Sequence, residues 1–253
     1  VVIDQSAVGK SIRSNPATYT GVFDQIRNLF AEQNRTTMAS LYSFNADGAC
    51  ENCKGLGYIL MDLAFMDPIK TNCEKCNGNR YKKEVLKHKL NNKTIVDVLA
   101  LTVTQAIAFF NDSKILKKLN VLQEVGLGYL QLGQPLSTLS GGECQRVKLA
   151  SELHKEGNIY ILDEPTTGLH LSDITKIIEL LEKLVNKGNS VIVIEHSLDI
   201  MNNADWIIDI GPEGGKNGGE LIFEGTPIEL QMKSESYTSK FLNLYNSSNL
   251  PTS

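Results

Sequence analysis

The stretch that decides the fold is I-Y-I-L-D-E-P-T, residues 159–166. Four apolar residues lead into two carboxylates, Asp163 and Glu164, and Pro165 then stops the strand. A carboxylate at the carboxyl end of a buried parallel strand can bind Mg²⁺, directly or through water. The second carboxylate is placed to orient or deprotonate a water molecule. Acidic strand ends are also common without a function, so the neighbouring elements have to decide between these interpretations.

The residues that follow have the pattern of an open α/β sheet. Apolar residues at helical spacing predict a packed helix, and apolar runs on either side predict strands. The predicted elements are a helix over 171–187, a strand over 191–194, a short helix near 198–203, a strand near 206–209 and an antiparallel addition at 218–225. Such alternation is typical of a parallel sheet covered on both faces. His196 follows the second strand and could reach a terminal phosphate, although a histidine there is more often structural.

Upstream of the first strand, L-S-G-G-E at 139–143 opens a predicted helix. Ser140 and the free N–H groups of Gly141 and Gly142 would lie at the helix N-terminus, which favours anions. Many helices begin this way, so the motif is weak when it stands alone.

The start of the chain contains D-Q-S-A-V-G-K-S, residues 4–11, which ends like a phosphate-binding loop. That loop needs a glycine where Asp4 stands, and a carboxylate there would repel phosphates. Pro16 also interrupts the helix that should follow the loop. We therefore interpret residues 1–12 as a buried strand end followed by a different kind of loop.

Four of the five cysteines form two C-x-x-C pairs, Cys50 with Cys53 and Cys73 with Cys76, separated by 19 residues. This spacing is typical of a Zn²⁺ site built from four thiolates. Because the protein would fill all four positions, the predicted zinc is structural. The alternatives are a redox pair or plain buried cysteines. Paired cysteines of this kind also fit a reducing compartment.

The bulk composition gives no global signal for nucleic acid or membrane. The 253 residues carry a formal net charge of −4, and no run reaches the roughly 18 apolar residues of a membrane span. We therefore expect a cytoplasmic protein whose nucleic-acid site, if it has one, is a local patch. A basic patch follows the second cysteine pair and consists of Arg80, Lys82, Lys83, Lys87, Lys89 and Lys93. It fits a phosphate backbone and a solvated strand face equally well.

The pattern changes along the chain define three regions, 1–12, 13–130 and 131–253. The middle region has predicted helices around Val22–Glu32, 103–111 and 114–126. Residues 45–80 have little regular patterning, and short strand-like pieces are predicted over 82–93.

The order of the motifs resembles that of the ABC ATPases. L-S-G-G-E precedes I-L-D-E-P, and a helix and I-V-I-E-H follow. The resemblance implies a signature loop at Leu139–Glu143, in which Ser140, Gly141, Gly142 and Glu143 bind nucleotide. It also implies that Asp163 is the Walker B carboxylate, Glu164 the catalytic base and His196 the switch histidine. Gln5 then belongs to the Q-loop and reaches Mg²⁺ and the attacking water.

Longer strings resemble the second nucleotide-binding domain of the UvrA family, the damage-recognition subunits of bacterial excinuclease. They include R-S-N-P-A-T-Y-T-G-V-F-D-Q-I-R at 13–27, G-A-C-E-N-C-K-G-L-G at 48–57 and A-D-W-I-I-D-I-G-P-E-G-G at 204–215. The resemblance implies an α/β ABC-type core, 1–12 with 131–253, interrupted by an inserted mixed α+β signature domain, 13–130. A zinc module lies at about 45–82 in that insertion. The implied cofactors are ATP, Mg²⁺ and Zn²⁺.

The same resemblance implies a role in nucleotide excision repair and the SOS response. It implies that ATP modulates the binding of damaged duplex DNA and its hand-over to a UvrB-type partner, and that the intact protein is a homodimer. The phosphate-binding loop is expected to precede Val1, so this chain alone is expected to be inactive. The N-terminal ABC half of the same protein is expected to bind the ATP that the signature loop serves.

The DNA contacts implied by the resemblance are Lys10, Arg13 and Asn15. The basic patch adds Arg80, Lys82 and Lys83 as further candidates. Two other interpretations stay open. One is a UvrA-like paralogue in drug tolerance with weakened DNA contact. The other is a zinc-stabilised DNA-binding module whose ATPase remnant is inert.

Overall fold

The structure is a computed structural model, and it describes residues 2–3, 13–36, 38–63, 66–153, 159–212, 218–233 and 236–248. Two of the predicted functional residues, Gln5 and Lys10, lie outside the described residues. The chain forms two compact units, one of Gln5–Lys155 and one of Val1–Asp4 with Glu156–Ser253. Among the helices of the described ranges, none has both the length and the apolar character needed to cross a membrane.

The secondary structure is mixed. The strands are β1 (Val2–Ile3), β2 (Tyr58–Leu63), β3 (Met66–Asn72), β4 (Ile159–Asp163), β5 (Ser190–Ile194), β6 (Ile207–Gly211) and β7 (Glu220–Gly225). The α-helices are α1 (Pro16–Tyr19), α2 (Val22–Gln33), α3 (Ile95–Leu99), α4 (Val103–Phe109), α5 (Ser113–Glu124), α6 (Gly141–Glu152), α7 (Leu171–Asn186), α8 (Leu198–Asn202), α9 (Pro227–Gln231) and α10 (Tyr237–Ser248). Short 3-10 helices occupy Ala39–Tyr42, Val85–Lys87 and Leu136–Thr138.

The unit of Gln5–Lys155 has a helical core. α2 buries apolar residues at helical spacing, and α5 packs against it with a similar stripe. These residues are Val22, Ile26 and Phe30 on α2 and Ile115, Leu119 and Leu122 on α5, all 0% exposed. At about 1.5–3 kcal/mol for each fully buried aliphatic or aromatic side chain, this contact is a main source of the unit's stability.

Backbone hydrogen bonds hold the segment that leads into α6. Leu132 donates to Leu101 O at 2.9 Å and Gly133 to Leu99 O at 2.7 Å, while Val103 donates back to Leu130 O at 2.9 Å. α6 then begins at Gly141, as predicted. The start of α6 is therefore fixed by the preceding segment as well as by its own cap.

In the other unit, β1, β4 and β5 form a parallel sheet in the order β1-β4-β5. Ile3 lies opposite Leu162, and Asp163 lies opposite Ile194. Because the strands are parallel and in register, the carboxyl ends of β4 and β5 lie at the same edge of the sheet. α7 packs on β5, and its Ile177, Leu180 and Leu184 are buried. The predicted α/β class, strands and helices of this unit are confirmed.

Three features differ from the predictions. Within the described residues, β6 pairs antiparallel with β7 and does not join the parallel sheet. The sheet is not covered on both faces among the described residues, since Ile192 and Ile194 are 53% and 54% exposed. Residues 45–80 contain the antiparallel hairpin of β2 and β3. The domain boundaries predicted from the motifs stay a prediction.

The prediction of short strand-like pieces over 82–93 was wrong. The chain there forms the 3-10 helix Val85–Lys87 and a turn in which Asn91 and Asn92 have positive φ values of 46° and 65°. Asparagine tolerates this left-handed conformation better than most residues. Leu90 forms an isolated bridge to Lys93 across that turn. The basic patch is therefore a set of turns, not a strand face.

Candidate functional site

The edge formed by the ends of β4 and β5 carries the predicted acidic residues and histidine. The backbone N–H of Glu164 donates to Ile194 O at 2.8 Å, which extends the β4–β5 pairing by one bond. Glu164 Oε1 lies 3.5 Å from His196 Nε2. The structure thus brings Asp163, Glu164 and His196 together at one sheet edge, as the sequence predicted.

Glu164 has a backbone conformation that is unusual for its residue type. Its φ is +47°, in the left-handed region, which costs an L-residue roughly 1–2 kcal/mol. Such outliers persist only where surrounding contacts hold them, and they cluster at functional sites. The Glu164 side chain is 37% exposed and accepts a hydrogen bond from Thr167 Oγ1 at 3.1 Å. A water-accessible carboxylate held in this way can serve as a general base.

Glu195 is a residue that the sequence reasoning missed. Its Oε1 accepts from the backbone N–H of Thr166 at 2.8 Å and from Thr166 Oγ1 at 2.5 Å. Its Oε2 accepts from the N–H groups of His196 at 2.8 Å and Ser197 at 3.1 Å. The carboxylate therefore links the loop after β4 to the loop after β5. The only signal for it in the sequence is its place beside His196.

The predicted signature loop lies at the N-terminus of α6, in the unit of Gln5–Lys155. Ser140 is the N-cap, and a capping box joins it to Glu143. Glu143 Oε2 accepts from Ser140 N at 2.7 Å and from Ser140 Oγ at 2.8 Å. Gly141 and Gly142 form the first turn, where backbone N–H groups lack partners within the helix. The four of the five predicted nucleotide-binding residues that belong to this loop are therefore contiguous at one helix N-terminus, where an anion is favoured, and the fifth, Asp163, lies at the end of β4.

Tyr129 also contacts this loop and was not predicted. Its hydroxyl donates to Glu143 Oε1 at 2.5 Å. Partial burial and the Glu143 carboxylate raise the pKa of Tyr129 to about 12, so the hydroxyl remains a donor at neutral pH. Partial burial raises the pKa of Glu143, but the hydrogen bonds from Tyr129 and Ser140 outweigh it and lower the pKa overall. The Glu143 carboxylate is therefore ionised and turned toward the N-cap residue Ser140.

The four predicted zinc ligands form a cluster in the unit of Gln5–Lys155. All four Sγ atoms lie within 4.8 Å of one another. The Cys50–Cys73 and Cys53–Cys76 Sγ separations are 3.9 Å and 3.7 Å, and none of the cysteines is in a disulfide. Zinc–sulfur bonds of about 2.3 Å in a tetrahedron place sulfur atoms about 3.8 Å apart. The thiols therefore fit a tetrahedral zinc ion.

Backbone and side-chain donors surround these sulfurs. Gly57 N donates to Cys53 Sγ at 3.2 Å, and Asn52 Nδ2 donates to Cys73 Sγ at 3.4 Å. The Asn52 amide is the main cause that lowers the pKa of Cys73 to about 6. Donors of this kind favour the thiolate that a metal ion requires.

The two knuckles repeat one backbone geometry. Lys54 and Gly55 after the first pair have φ values of 49° and 80°, and Asn77 and Gly78 after the second have 48° and 80°. The surroundings differ. A Cβ built on Gly55 would lie 1.7 Å from Phe44 O, whereas one on Gly78 would meet nothing nearer than 4.0 Å.

We expect Gly55→Ala to lower the melting temperature of the zinc-loaded chain more than Gly78→Ala does. Both variants carry the same penalty for positive φ, but only the first forces backbone atoms apart, which adds at least about 1–3 kcal/mol. Thermal unfolding followed by circular dichroism measures the difference. Equal melting temperatures for the two variants would contradict the packing seen at Phe44.

The predicted DNA-binding residues have different surroundings. Arg80 stacks on the Phe44 ring at 3.6 Å and donates through Nε to Gly55 O at 2.8 Å. Asn15 is 1% exposed and caps α1 by accepting from Thr18 N at 2.8 Å. Both side chains are engaged in internal contacts, so a direct phosphate contact has no support in the geometry of Asn15 and little in that of Arg80.

The remaining candidates lie on the surface around the zinc knuckles. Arg13 Nη1 donates to Asn45 Oδ1 at 3.1 Å in an exposed contact. Lys82 lies 3.7 Å from Glu51 Oε1, and Lys83 is exposed. A pocket beside Cys50 is lined by Glu51, Lys75, Tyr81, Lys82, Lys83 and Glu84. The residues that line this pocket carry both positive and negative charges.

Comparisons with known proteins extend these findings. A family model described as ABC transporter matches residues 27–167. UvrABC system protein A of Aquifex aeolicus (strain VF5) is 52% identical over 252 residues, which cover 96% of this chain and 27% of that protein. UvrABC system protein A of Bacillus subtilis (strain 168) is 51% identical over 249 residues, which cover 95% of this chain and 26% of that protein.

The solved structures agree with the sequence relatives. The crystal structure of UvrA2 from Deinococcus radiodurans matches with a TM-score of 0.89 at 46% identity, over 96% of this chain and 31% of that one. This match confirms the predicted fold. The chain spans 27% and 26% of the lengths of the two curated relatives.

Proposed function

This chain belongs to the ATP-binding cassette (ABC) family, and we propose that it is the C-terminal nucleotide-binding half of a UvrA-type ATPase in nucleotide excision repair. One observation carries the proposal. Asp163, Glu164 and His196 meet at one sheet edge in a chain that is 52% identical to UvrABC system protein A. The proposed activity is ATP hydrolysis that modulates the binding of damaged duplex DNA.

The chemistry follows from that edge. Mg²⁺ and ATP, when bound, supply charge neutralisation and the phosphoanhydride bond that is cleaved. Asp163, at the end of β4, would hold the metal ion. Glu164 orients the attacking water and accepts its proton. Its partial exposure and its contact with His196 suit it to this role. His196 donates a hydrogen bond to a phosphate oxygen, and Gln5 orients the same water.

The signature loop has a separate part in the proposal. Ser140 and the N–H groups of Gly141 and Gly142 contact the phosphates of an ATP bound by the N-terminal ABC half of the same protein. Support comes from their position at the start of a 12-residue helix, where the dipole favours negative charge. The hydrogen bonds from Ser140 and Tyr129 hold the Glu143 carboxylate to the cap, which limits its repulsion of the phosphates.

The zinc module is proposed to hold structural Zn²⁺ through Cys50, Cys53, Cys73 and Cys76 and to present basic residues to DNA. Lys82, Lys83 and Arg13 are its proposed phosphate contacts, together with Lys10. Arg80 and Asn15 are proposed to support this surface indirectly. Arg80 holds the backbone of the first knuckle at Gly55, and Asn15 caps α1. The full-length protein is proposed to be a cytoplasmic homodimer that hands DNA to a UvrB-type partner.

We expect Lys82→Gln with Lys83→Gln to weaken DNA binding by the full-length protein in a salt-dependent way. Each lost phosphate contact reduces the slope of log K against log salt by about 0.9 on duplex DNA. Fluorescence anisotropy over a salt series measures this slope, and Lys114→Gln with Lys117→Gln on the exposed surface of α5 is the control of equal charge change. A slope that the double variant leaves unchanged would remove these lysines from the interface.

Two other functions remain as alternatives. The match to a structure of UvrA2 favours a UvrA-like paralogue, for which the drug-tolerance role is the second candidate. It predicts equal affinity for damaged and intact duplex. A zinc-stabilised DNA-binding module with an inert ATPase remnant predicts that nucleotide has no effect on DNA binding.

A further inference from the structure

The carboxylate of Glu195 joins two loops that are far apart in sequence. Its partners are Thr166, in the loop after β4, and His196 and Ser197, in the loop after β5. Thr166 is two residues past Glu164, the proposed base, and His196 is the proposed phosphate ligand. Glu195 therefore contacts both loops of the proposed reaction site, and its carboxylate is committed to hydrogen bonds with those loops.

The chemistry of the four donors requires a carboxylate. An ionised glutamate only accepts hydrogen bonds and has about four lone-pair sites. Here the backbone N–H and the hydroxyl of Thr166 donate to one oxygen, and the backbone N–H groups of His196 and Ser197 donate to the other. Glutamine has the same shape but only one acceptor oxygen. Its NH₂ group would point at two donors on one side, whichever way the amide is turned.

The hydrogen bonds from Thr166 to Glu195 help to hold the unusual backbone conformation of Glu164. Its left-handed φ of +47° is unfavourable for a glutamate and needs contacts that hold it. Thr167 N donates to Glu164 O at 3.1 Å and Glu164 N donates to Ile194 O at 2.8 Å, so the turn is fixed on both sides. The bonds from Thr166 to Glu195 fix the residue between these two points. Without them, fewer contacts hold Glu164 in its left-handed conformation.

We propose that Glu195 is a positioning residue, which holds the proposed base Glu164 and His196 in register for the same reaction. This inference rests on the proposed ATP hydrolysis. Glu195 acts through Glu164 and His196 and does not touch the nucleotide. Its loss therefore lowers kcat far more than it changes the KM for ATP.

The test is Glu195→Gln in the full-length protein, in a background where the N-terminal cassette is inactivated so that turnover reports this site. We expect kcat to fall about 100-fold, since misplacing a reacting group by about 1 Å has that effect, with the KM for ATP within about twofold. Glu182→Gln on the exposed surface of α7 is the matched control and keeps full activity.

A double variant separates positioning from general stability. Because the part of the Glu195 effect that passes through the base is already lost in Glu164→Gln, adding Glu195→Gln to that variant lowers the single-turnover rate by a smaller factor than Glu195→Gln lowers the parent rate. A full multiplicative loss in the double variant would overturn the inference. If Glu195→Gln does not fold, Thr166→Val removes only the hydroxyl donor, and a smaller loss of kcat at constant KM is expected from it.

The outcomes distinguish this inference from the proposed function. Unchanged kcat in Glu195→Gln, with activity lost in Glu164→Gln, overturns the positioning role and leaves the ATPase assignment intact. Unchanged kcat in both variants overturns the assignment of the site itself.

Discussion

The Glu164→Gln variant of the full-length protein is expected to lose ATP turnover at this site by about 10²–10⁴-fold, the usual contribution of a general base. The amide keeps the size of the side chain and can still meet Thr167 and His196, but it cannot accept a proton from water. ATP binding should remain, because Glu164 is proposed to act on the water and not on the nucleotide.

Phosphate release under single-turnover conditions measures this loss, again with the N-terminal cassette inactivated. Glu182→Gln provides a variant with the same chemical change on a solvent-exposed helix. Turnover equal to that of the parent protein would refute the role of Glu164. Loss of ATP binding together with turnover would instead show that the substitution disturbs the nucleotide pocket.

The Cys73→Ser variant is expected to lose its zinc ion and with it the ordered knuckles. Cys73 is 0% exposed, and its sulfur lies within 4.8 Å of the three other thiols. Three thiolates and a serine hydroxyl make a much poorer zinc site, because zinc prefers sulfur and nitrogen ligands. Structural zinc binding in small domains amounts to about 10–16 kcal/mol near neutral pH, so the module should not remain folded without it.

Cys144→Ser is the matched control. Cys144 is also buried, but it lies on α6, donates to Leu136 O and is not part of the cluster. Elemental analysis of protein purified under reducing conditions should find about one zinc per chain in the parent and in Cys144→Ser, and none in Cys73→Ser. Equal zinc content in both variants, or a parent protein without zinc, would contradict the proposed metal site.

Local patterns were enough to predict several parts of this protein. The spacing of Cys50, Cys53, Cys73 and Cys76 predicted one cluster, because C-x-x-C pairs form knuckles whose geometry depends on few other residues. Ile159–Asp163 predicted a strand because its apolar run is bounded by carboxylates and a proline. Ser140 and Glu143 form the capping box that their spacing of three allows.

Contacts between distant residues could not be predicted in this way. The link from Glu195 to Thr166 joins residues 29 apart and depends on the register of β4 against β5. Arg80 was grouped with the basic patch by composition, whereas its place on Phe44 depends on how the first knuckle folds back. The same holds for Tyr129, since its contact with Glu143 follows from backbone pairing near the start of α4.

We propose that this chain is part of a repair ATPase that recognises damaged DNA. The most direct test is the affinity of the full-length, zinc-loaded protein for lesion-containing and intact duplex of the same sequence, with and without ATP, over a salt series. We expect tighter binding to the lesion, an effect of nucleotide on that preference, and a steep loss of affinity with salt from phosphate contacts. Equal affinity for both duplexes, whether or not ATP is present, would contradict it.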